Sequence, residues 1–66
     1  MDGIARRKQY ARDHGLDLLY ADFIGGHYET WFYSEGLKFR CKSFYTLEGL
    51  QQFAKRRQFA IIYLDN

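Results

Sequence analysis

The chain of 66 residues contains no proline and a single cysteine, Cys41. One cysteine excludes an intramolecular disulfide framework and any CxxC metal or redox motif. The apolar runs are much shorter than the roughly 20 residues of a membrane-spanning helix, and residues 1–15 are charged where a signal peptide would be apolar. We therefore expect a cytoplasmic protein that makes no contact with a membrane.

Sequence motifs that carry chemistry are missing as well. The chain has no glycine-rich phosphate loop, HExxH zinc motif or nucleophile elbow. Asp22, His27 and Glu29 could gather at one end of a sheet and resemble a metal or acid–base site, but three such groups on a sheet face are more often a solvated row of charges. We predict that the protein is not an enzyme and holds no metal and no cofactor.

Hydrophobic residues make up 47% of the chain and aromatic residues 20%, which is enough apolar material for a packed core. A chain of this length has room for one domain, so we expect residues 1–66 to fold as a single unit. The formal net charge of +2 is far from the strong excess of a protein that coats DNA. So small a core also allows a homodimer, in which a second copy supplies stability.

Helical spacing and helix-end signals mark two helices. The first runs from Asp2, which can cap it, to His14, because Gly15 suits the left-handed position just past a helix end. The second begins after Thr46, a preferred capping residue, and ends in the basic run of residues 55–57, where the helix dipole favours cations.

Elsewhere the apolar period changes to two, which is typical of strands. The predicted strands are Leu16–Ile24, His27–Tyr33, Leu37–Phe44 and Phe59–Leu64. Gly25-Gly26 is a natural two-residue hairpin loop, and the last strand is apolar on both faces, which favours a strand covered on both sides. The fold class is thus α+β, a single small domain of order α-β-β-β-α-β, with a mainly antiparallel sheet and both helices packed on one face.

The turn between the second and third strands decides which side chains share a face. A two-residue Glu35-Gly36 turn pairs Ser34 with Leu37, whereas a three-residue turn pairs Tyr33 with Leu37. A shift of one residue moves the whole third strand to the opposite face. The three-residue turn would place lysine and arginine side chains among the apolar residues of the first two strands, so we predict the two-residue turn.

The predicted register forms three rows on the polar face of the sheet. The rows are Leu18, Tyr33 and Lys38; Tyr20, Trp31 and Arg40; and Asp22, Glu29 and Lys42. In the middle row we expect a cation–π pair between Trp31 and Arg40. In the last row we expect Lys42 to neutralise Glu29. Because both helices are expected on the other face, this face should be open to solvent or to a partner.

Tryptophan, tyrosine and arginine are the residue types that dominate the binding energy of protein interfaces. We therefore predict that another protein binds this face. The predicted partner-binding residues are Tyr20, Trp31, Tyr33, Lys38, Arg40 and Lys42. Two alternatives stay open: the aromatic residues lie under a helix, or the face binds single-stranded nucleic acid by base stacking and phosphate pairing.

Basic residues on the two predicted helices could contact phosphate, although a solvated helix face explains them equally well. These residues are Arg6, Arg7, Arg56 and Arg57. The α-β-β-β-α order resembles the double-stranded RNA-binding domain, but in element order only. That family has a lysine-rich cluster at the start of its second helix, where this chain has the acidic segment 46–49. The resemblance therefore does not imply RNA binding here.

Small size together with the lack of catalytic and targeting motifs is typical of proteins from phages and other mobile elements that occlude a host machine, CRISPR effectors among them. We therefore expect a small protein-binding inhibitor of this anti-CRISPR-like type. Binding of single-stranded nucleic acid is the alternative function.

Overall fold

The computed structural model describes residues 3–64, so Asp2, the predicted cap of the first helix, lies outside the described residues. The elements are α1 (Gly3–His14), β1 (Asp17–Ile24), β2 (His27–Ser34), β3 (Leu37–Arg40), α2 (Leu47–Arg57) and β4 (Phe59–Leu64). The four strands form one sheet of order β3-β2-β1-β4, in which the β1–β4 pair is parallel and the other two pairs are antiparallel. The predicted element order and mainly antiparallel sheet are confirmed.

Both hairpins turn through two residues with positive φ. Gly25 and Gly26 join β1 to β2 with φ of 61° and 84°, and Glu35 and Gly36 join β2 to β3 with φ of 52° and 78°. Two successive positive φ angles define the turn whose twist matches that of the flanking strands. Ser34 pairs with residue 37, as the two-residue turn requires, so the predicted register of the third strand is confirmed.

The predicted cap of the second helix is also confirmed. The hydroxyl of Thr46 accepts a hydrogen bond from the backbone N–H of Gly49 at 3.1 Å, which satisfies one of the free donors at the start of α2. The helix ends at Gln58, whose left-handed backbone lets its N–H donate to the carbonyls of Ala54 and Lys55. These two ends fix the length of α2 and aim the chain into β4.

Helix α2 covers one face of the sheet. The main core cluster joins Leu50, Phe53 and Ala54 of α2 to side chains of β1 and β4 on that face, Leu19, Ala21 and Ile61. Leu19 and Leu50 are fully buried. This core fixes the sheet strands β1 and β4 and therefore the position of everything that β1 carries on its other face.

Helix α1 covers the opposite face, so the expectation that both helices pack on one face is wrong for α1. Ala60 and Ile62 alternate with Ile61 along β4 and pair with Leu18 and Tyr20, which places them on the face away from α2. Ile62 is only 1% exposed and Ala60 is buried as well. Since α1 is the other helix that packs against β4 and β1, it must supply this cover. The double-sided burial predicted for β4 is confirmed.

The third strand is shorter than predicted, because β3 ends at Arg40 and does not reach Phe44. Trp31 pairs with Arg40, and Tyr28 bridges to Phe44. Between these two pairs β2 has two residues, whereas the segment opposite has three. One extra residue is therefore inserted opposite β2, which is the count of a β-bulge. The hydroxyl of Thr30 donates to the Lys42 carbonyl at 2.5 Å and holds the displaced chain.

Candidate functional site

The confirmed register places five of the six predicted partner-binding side chains next to one another. Tyr20 of β1, Trp31 of β2 and Arg40 of β3 pair in one row across the sheet, and Tyr33 pairs with Lys38 in the next row. We call these five residues the aromatic–basic face. Helix α1 packs on the same side of the sheet at β4 and β1, whereas Tyr33, Lys38 and Arg40 of this face are exposed.

The aromatic rings of this face contact one another. The ring of Tyr20 stacks on that of Trp31, with centroids 6.1 Å apart and planes 12° apart, and Tyr33 meets Tyr20 edge-on at 5.5 Å. Lys38 supplies the cation over Trp31, with its Nζ 4.7 Å from the ring centroid. The predicted pair of Trp31 with Arg40 is therefore wrong in its cation, and the lysine one row away takes that place.

Arg40 instead reaches along the sheet to Glu29. Its Nη2 lies 2.6 Å from Glu29 Oε1, and a charge-assisted bond of this length holds the guanidinium away from the Trp31 ring. His27 Nε2 lies 3.2 Å from Glu29 Oε2, and the hydroxyl of Ser43 donates to the same oxygen. Glu29 thus collects a cation, an imidazole and a hydroxyl.

These contacts lower the pKa of Glu29 below its ordinary value of 4.5. The hydrogen bond from Ser43 is the largest cause, and the hydrogen bond and charge of Arg40 and the charge of His27 act in the same direction. Partial burial opposes them. The carboxylate is therefore ionised at neutral pH, and its negative charge offsets the positive charge of Arg40.

Lys42, the sixth predicted residue, does not lie on this face, and the prediction that it neutralises Glu29 is wrong. Its Nζ lies 5.8 Å from the ring centroid of Phe53, a core residue of α2. The reason is the bulge after β3, because an inserted residue reverses the alternation of the faces. Ser43 consequently takes the position beside Glu29 that an unbroken strand would give to Lys42.

The four predicted phosphate-contacting arginines do not form one surface, since α1 and α2 cover opposite faces of the sheet. Arg7 donates from Nε to the Ile61 carbonyl at 3.0 Å and also lies over the ring of Tyr10. Arg57 lies over the ring of Phe53, 5.4 Å from its centroid. Arg6 and Arg56 are exposed. Arg7 and Arg57 therefore have structural contacts that a phosphate would have to displace.

The sequence interpretation missed an exposed apolar group at the turn end of the sheet. Phe23, Leu47 and Tyr63 are well exposed and line one cavity although Phe23 belongs to the face that α2 covers, and Ile24 is exposed on the opposite face. The available signal is position: Phe23 and Ile24 directly precede the Gly25-Gly26 turn, where a strand extends past the helix. An uncovered apolar group of this kind can add contact area to an interface.

Asp22, His27 and Glu29 are the residues that could resemble a metal or acid–base site. His27 contacts Glu29, but between residues 3 and 64 no three histidine, cysteine, aspartate or glutamate side chains group as they would around a metal ion. Over the same residues, neither helix is long and apolar enough to cross a membrane. No protein-family model, curated protein or solved structure matches the chain. The surface of the described residues is therefore the basis of the functional proposal.

Proposed function

We propose that this protein is a non-enzymatic module that binds another protein through the aromatic–basic face. The observation that supports this most is that aromatic surface stays open beside two cations that contact neighbouring side chains. Arg40 is bonded to Glu29, Lys38 lies over Trp31, and the Tyr33 ring next to them is 53% exposed. Exposed aromatic side chains next to an arginine are typical of the residues that dominate the binding energy at the centre of a protein interface.

Single-stranded nucleic acid fits the same face less well. Base stacking needs free ring faces and phosphate binding needs free cations. One face of Trp31 is occupied by Lys38 and the ring also stacks on Tyr20, so little of its ring surface is free for a base. Lys42, which would have been a third cation, lies on the other side of the sheet. We therefore favour a protein partner.

We further propose that the module acts as an inhibitor of phage or mobile-element type, in the cytoplasm, by occluding a protein of a host complex that handles nucleic acid. The support is the size of the chain and the absence of catalytic motifs in its sequence. An occluding inhibitor needs one good surface and no chemistry, and the aromatic–basic face meets that requirement.

The test is affinity capture from a host lysate with matched tyrosine variants. Tyr33→Ala removes an exposed ring from the aromatic–basic face, and Tyr45→Ala removes an even more exposed ring from a loop elsewhere. We expect Tyr45→Ala to capture the same protein as wild type and Tyr33→Ala to lose most of it, because truncating an interface anchor costs about 2 kcal/mol or more. The double variant Trp31→Ala with Arg40→Ala should abolish capture.

The lysate is treated with nuclease, and binding is repeated at increasing salt. A shallow salt dependence supports a protein interface, whereas a steep loss together with nuclease sensitivity indicates phosphate neutralisation and the alternative function. Circular dichroism of each variant controls for the fold. Equal capture by the Tyr33 and Tyr45 variants would contradict the assignment of this face.

A further inference from the structure

Strand β3 forms one edge of the sheet, and no other strand between residues 3 and 64 pairs with its outer side. In an antiparallel pair, residues that exchange both backbone hydrogen bonds alternate with residues that exchange none. The N–H of Cys41 donates to the Thr30 carbonyl, so Cys41 and Thr30 form a hydrogen-bonded pair. Because such pairs recur at every second residue, Phe39 and Leu37 also direct their backbone groups toward β2. The N–H and C=O groups of Lys38 and Arg40 therefore point outward from the edge.

The side chains of β3 divide into an apolar and a basic set. Leu37 and Phe39 lie on the α2 side of the sheet and are 63% and 43% exposed. Phe39 stacks on Phe32, which in turn meets Phe59, so a row of rings crosses the sheet and ends at this open edge. Lys38 and Arg40 lie on the other side and are exposed. An added strand would thus meet apolar contacts on one face and cations on the other.

We propose that the protein partner contributes an extended segment of alternating apolar and acidic residues, which pairs with β3 as a fifth strand of the sheet. This inference rests on the proposed function and names the part of the partner that the surface recognises. The backbone groups of Lys38 and Arg40 supply the hydrogen bonds of strand addition, and alternate side chains supply specificity. Acidic residues of the segment lie beside Lys38 and Arg40, and its apolar residues extend the row that ends at Phe39. Arg40 keeps its bond to Glu29 through Nη2, and its side chain, which is 81% exposed, has further N–H donors for the partner.

Charge argues against a second copy of this chain as the added strand. An antiparallel β3–β3 pair that keeps the apolar faces together sets Lys38 opposite Lys38 or opposite Arg40 of the other copy. Like charges directly opposite each other destabilise a strand pair. A register shifted by one residue relieves this repulsion only by setting Leu37 or Phe39 beside a cation. The basic side chains of β3 thus disfavour pairing with another copy of this chain and favour pairing with an acidic strand.

The proposal is tested with synthetic eight-residue peptides and isotope-labelled protein. The probe is a capped peptide of alternating valine and glutamate, and the matched control replaces each glutamate with lysine. A third peptide keeps the glutamates but carries N-methyl groups on alternate backbone nitrogens, which removes its hydrogen-bond donors on one edge. Binding is followed by NMR chemical shifts and by hydrogen exchange of the Lys38 and Arg40 amides.

We expect the glutamate peptide to bind at least about tenfold more tightly than the lysine peptide and to slow exchange of both outward amides. The N-methylated peptide should lose this protection. In the double variant Lys38→Glu with Arg40→Glu, the preference should reverse toward the lysine peptide. Because this variant also breaks the Arg40–Glu29 ion pair, circular dichroism checks its fold. Tyr45→Ala should leave peptide binding unchanged, since Tyr45 is an exposed residue of the loop before α2 and carries no outward group of the edge.

Equal affinity for the acidic and basic peptides would overturn the proposal, as would shifts that avoid β3. Self-association that competes with the glutamate peptide would identify a second copy as the occupant of the edge and would also overturn it. Failure of the peptide, together with loss of the captured host protein on Tyr33→Ala, would leave the proposed function standing and remove only the strand-addition mode.

Discussion

Ile62→Val tests the placement of α1 over the face opposite α2. The substitution removes one methyl group from a side chain that is 1% exposed. Transfer of one such group costs about 0.8 kcal/mol, and buried isoleucine-to-valine changes cost about 0.5–1.5 kcal/mol once the cavity is included. In a domain of this size, 1 kcal/mol lowers the melting temperature by about 4–8 °C. The variant should stay folded and its loss should be measurable.

Ile24→Val is the matched control, because Ile24 undergoes the same chemical change at a position that is 52% exposed. Its effect should stay within about 0.5 kcal/mol. Urea unfolding followed by circular dichroism gives both free energies of unfolding. If the two variants lost the same stability, Ile62 would not be covered and α1 would not pack where the burial of β4 requires it.

Three further predictions concern the cap, the third strand and the Glu29 cluster. Thr46→Ala should lower the free energy of unfolding by about 1 kcal/mol in thermal melts, and Thr46→Ser, which keeps the acceptor, should lose much less. Phe39→Ala should cost about 1–2 kcal/mol in urea melts, below the roughly 3–5 kcal/mol of a buried phenylalanine, and a larger loss would show that β3 is covered. Because folding lowers the pKa of Glu29, its contribution to stability is present above the ordinary glutamate pKa and is lost as the pH falls through the lower folded pKa. Glu29→Gln should flatten that acid limb of the stability profile, and an unchanged limb would show that Glu29 is not the group responsible.

Local signals in the sequence were sufficient for the turns and for the start of α2. The choice of a two-residue turn at Glu35-Gly36 follows from keeping cations off the apolar face, and the pairing of Ser34 with Leu37 confirms it. Thr46 has the hydroxyl that a helix start needs, and it caps α2 as predicted. The cap joins residues three apart in the chain, and the turn follows from the alternation of charged and apolar residues in neighbouring strands.

Features set by distant contacts were not predictable in the same way. The bulge after β3 depends on a contact between residues twelve apart in the chain. The hydroxyl of Thr30 donates a hydrogen bond to the displaced carbonyl of Lys42. The side chosen by α1 depends on where β4 adds to the sheet, although the double-sided apolar pattern of β4 already required cover on both faces. Arg40 contacts Glu29 instead of the predicted Trp31, because a carboxylate one row away offers a guanidinium a stronger interaction than an aromatic ring.

The two edges of the sheet differ in a way that limits assembly. At the β4 edge, α1 and α2 pack on either side, and the side chain of Arg7 occupies the Ile61 carbonyl. At the β3 edge the backbone groups are open. Growth of strands from copy to copy into a fibre needs two open edges on each molecule. A strand added at β4 would have to displace Arg7 from the Ile61 carbonyl, so complexes formed through β3 should contain one partner segment for each copy of this chain.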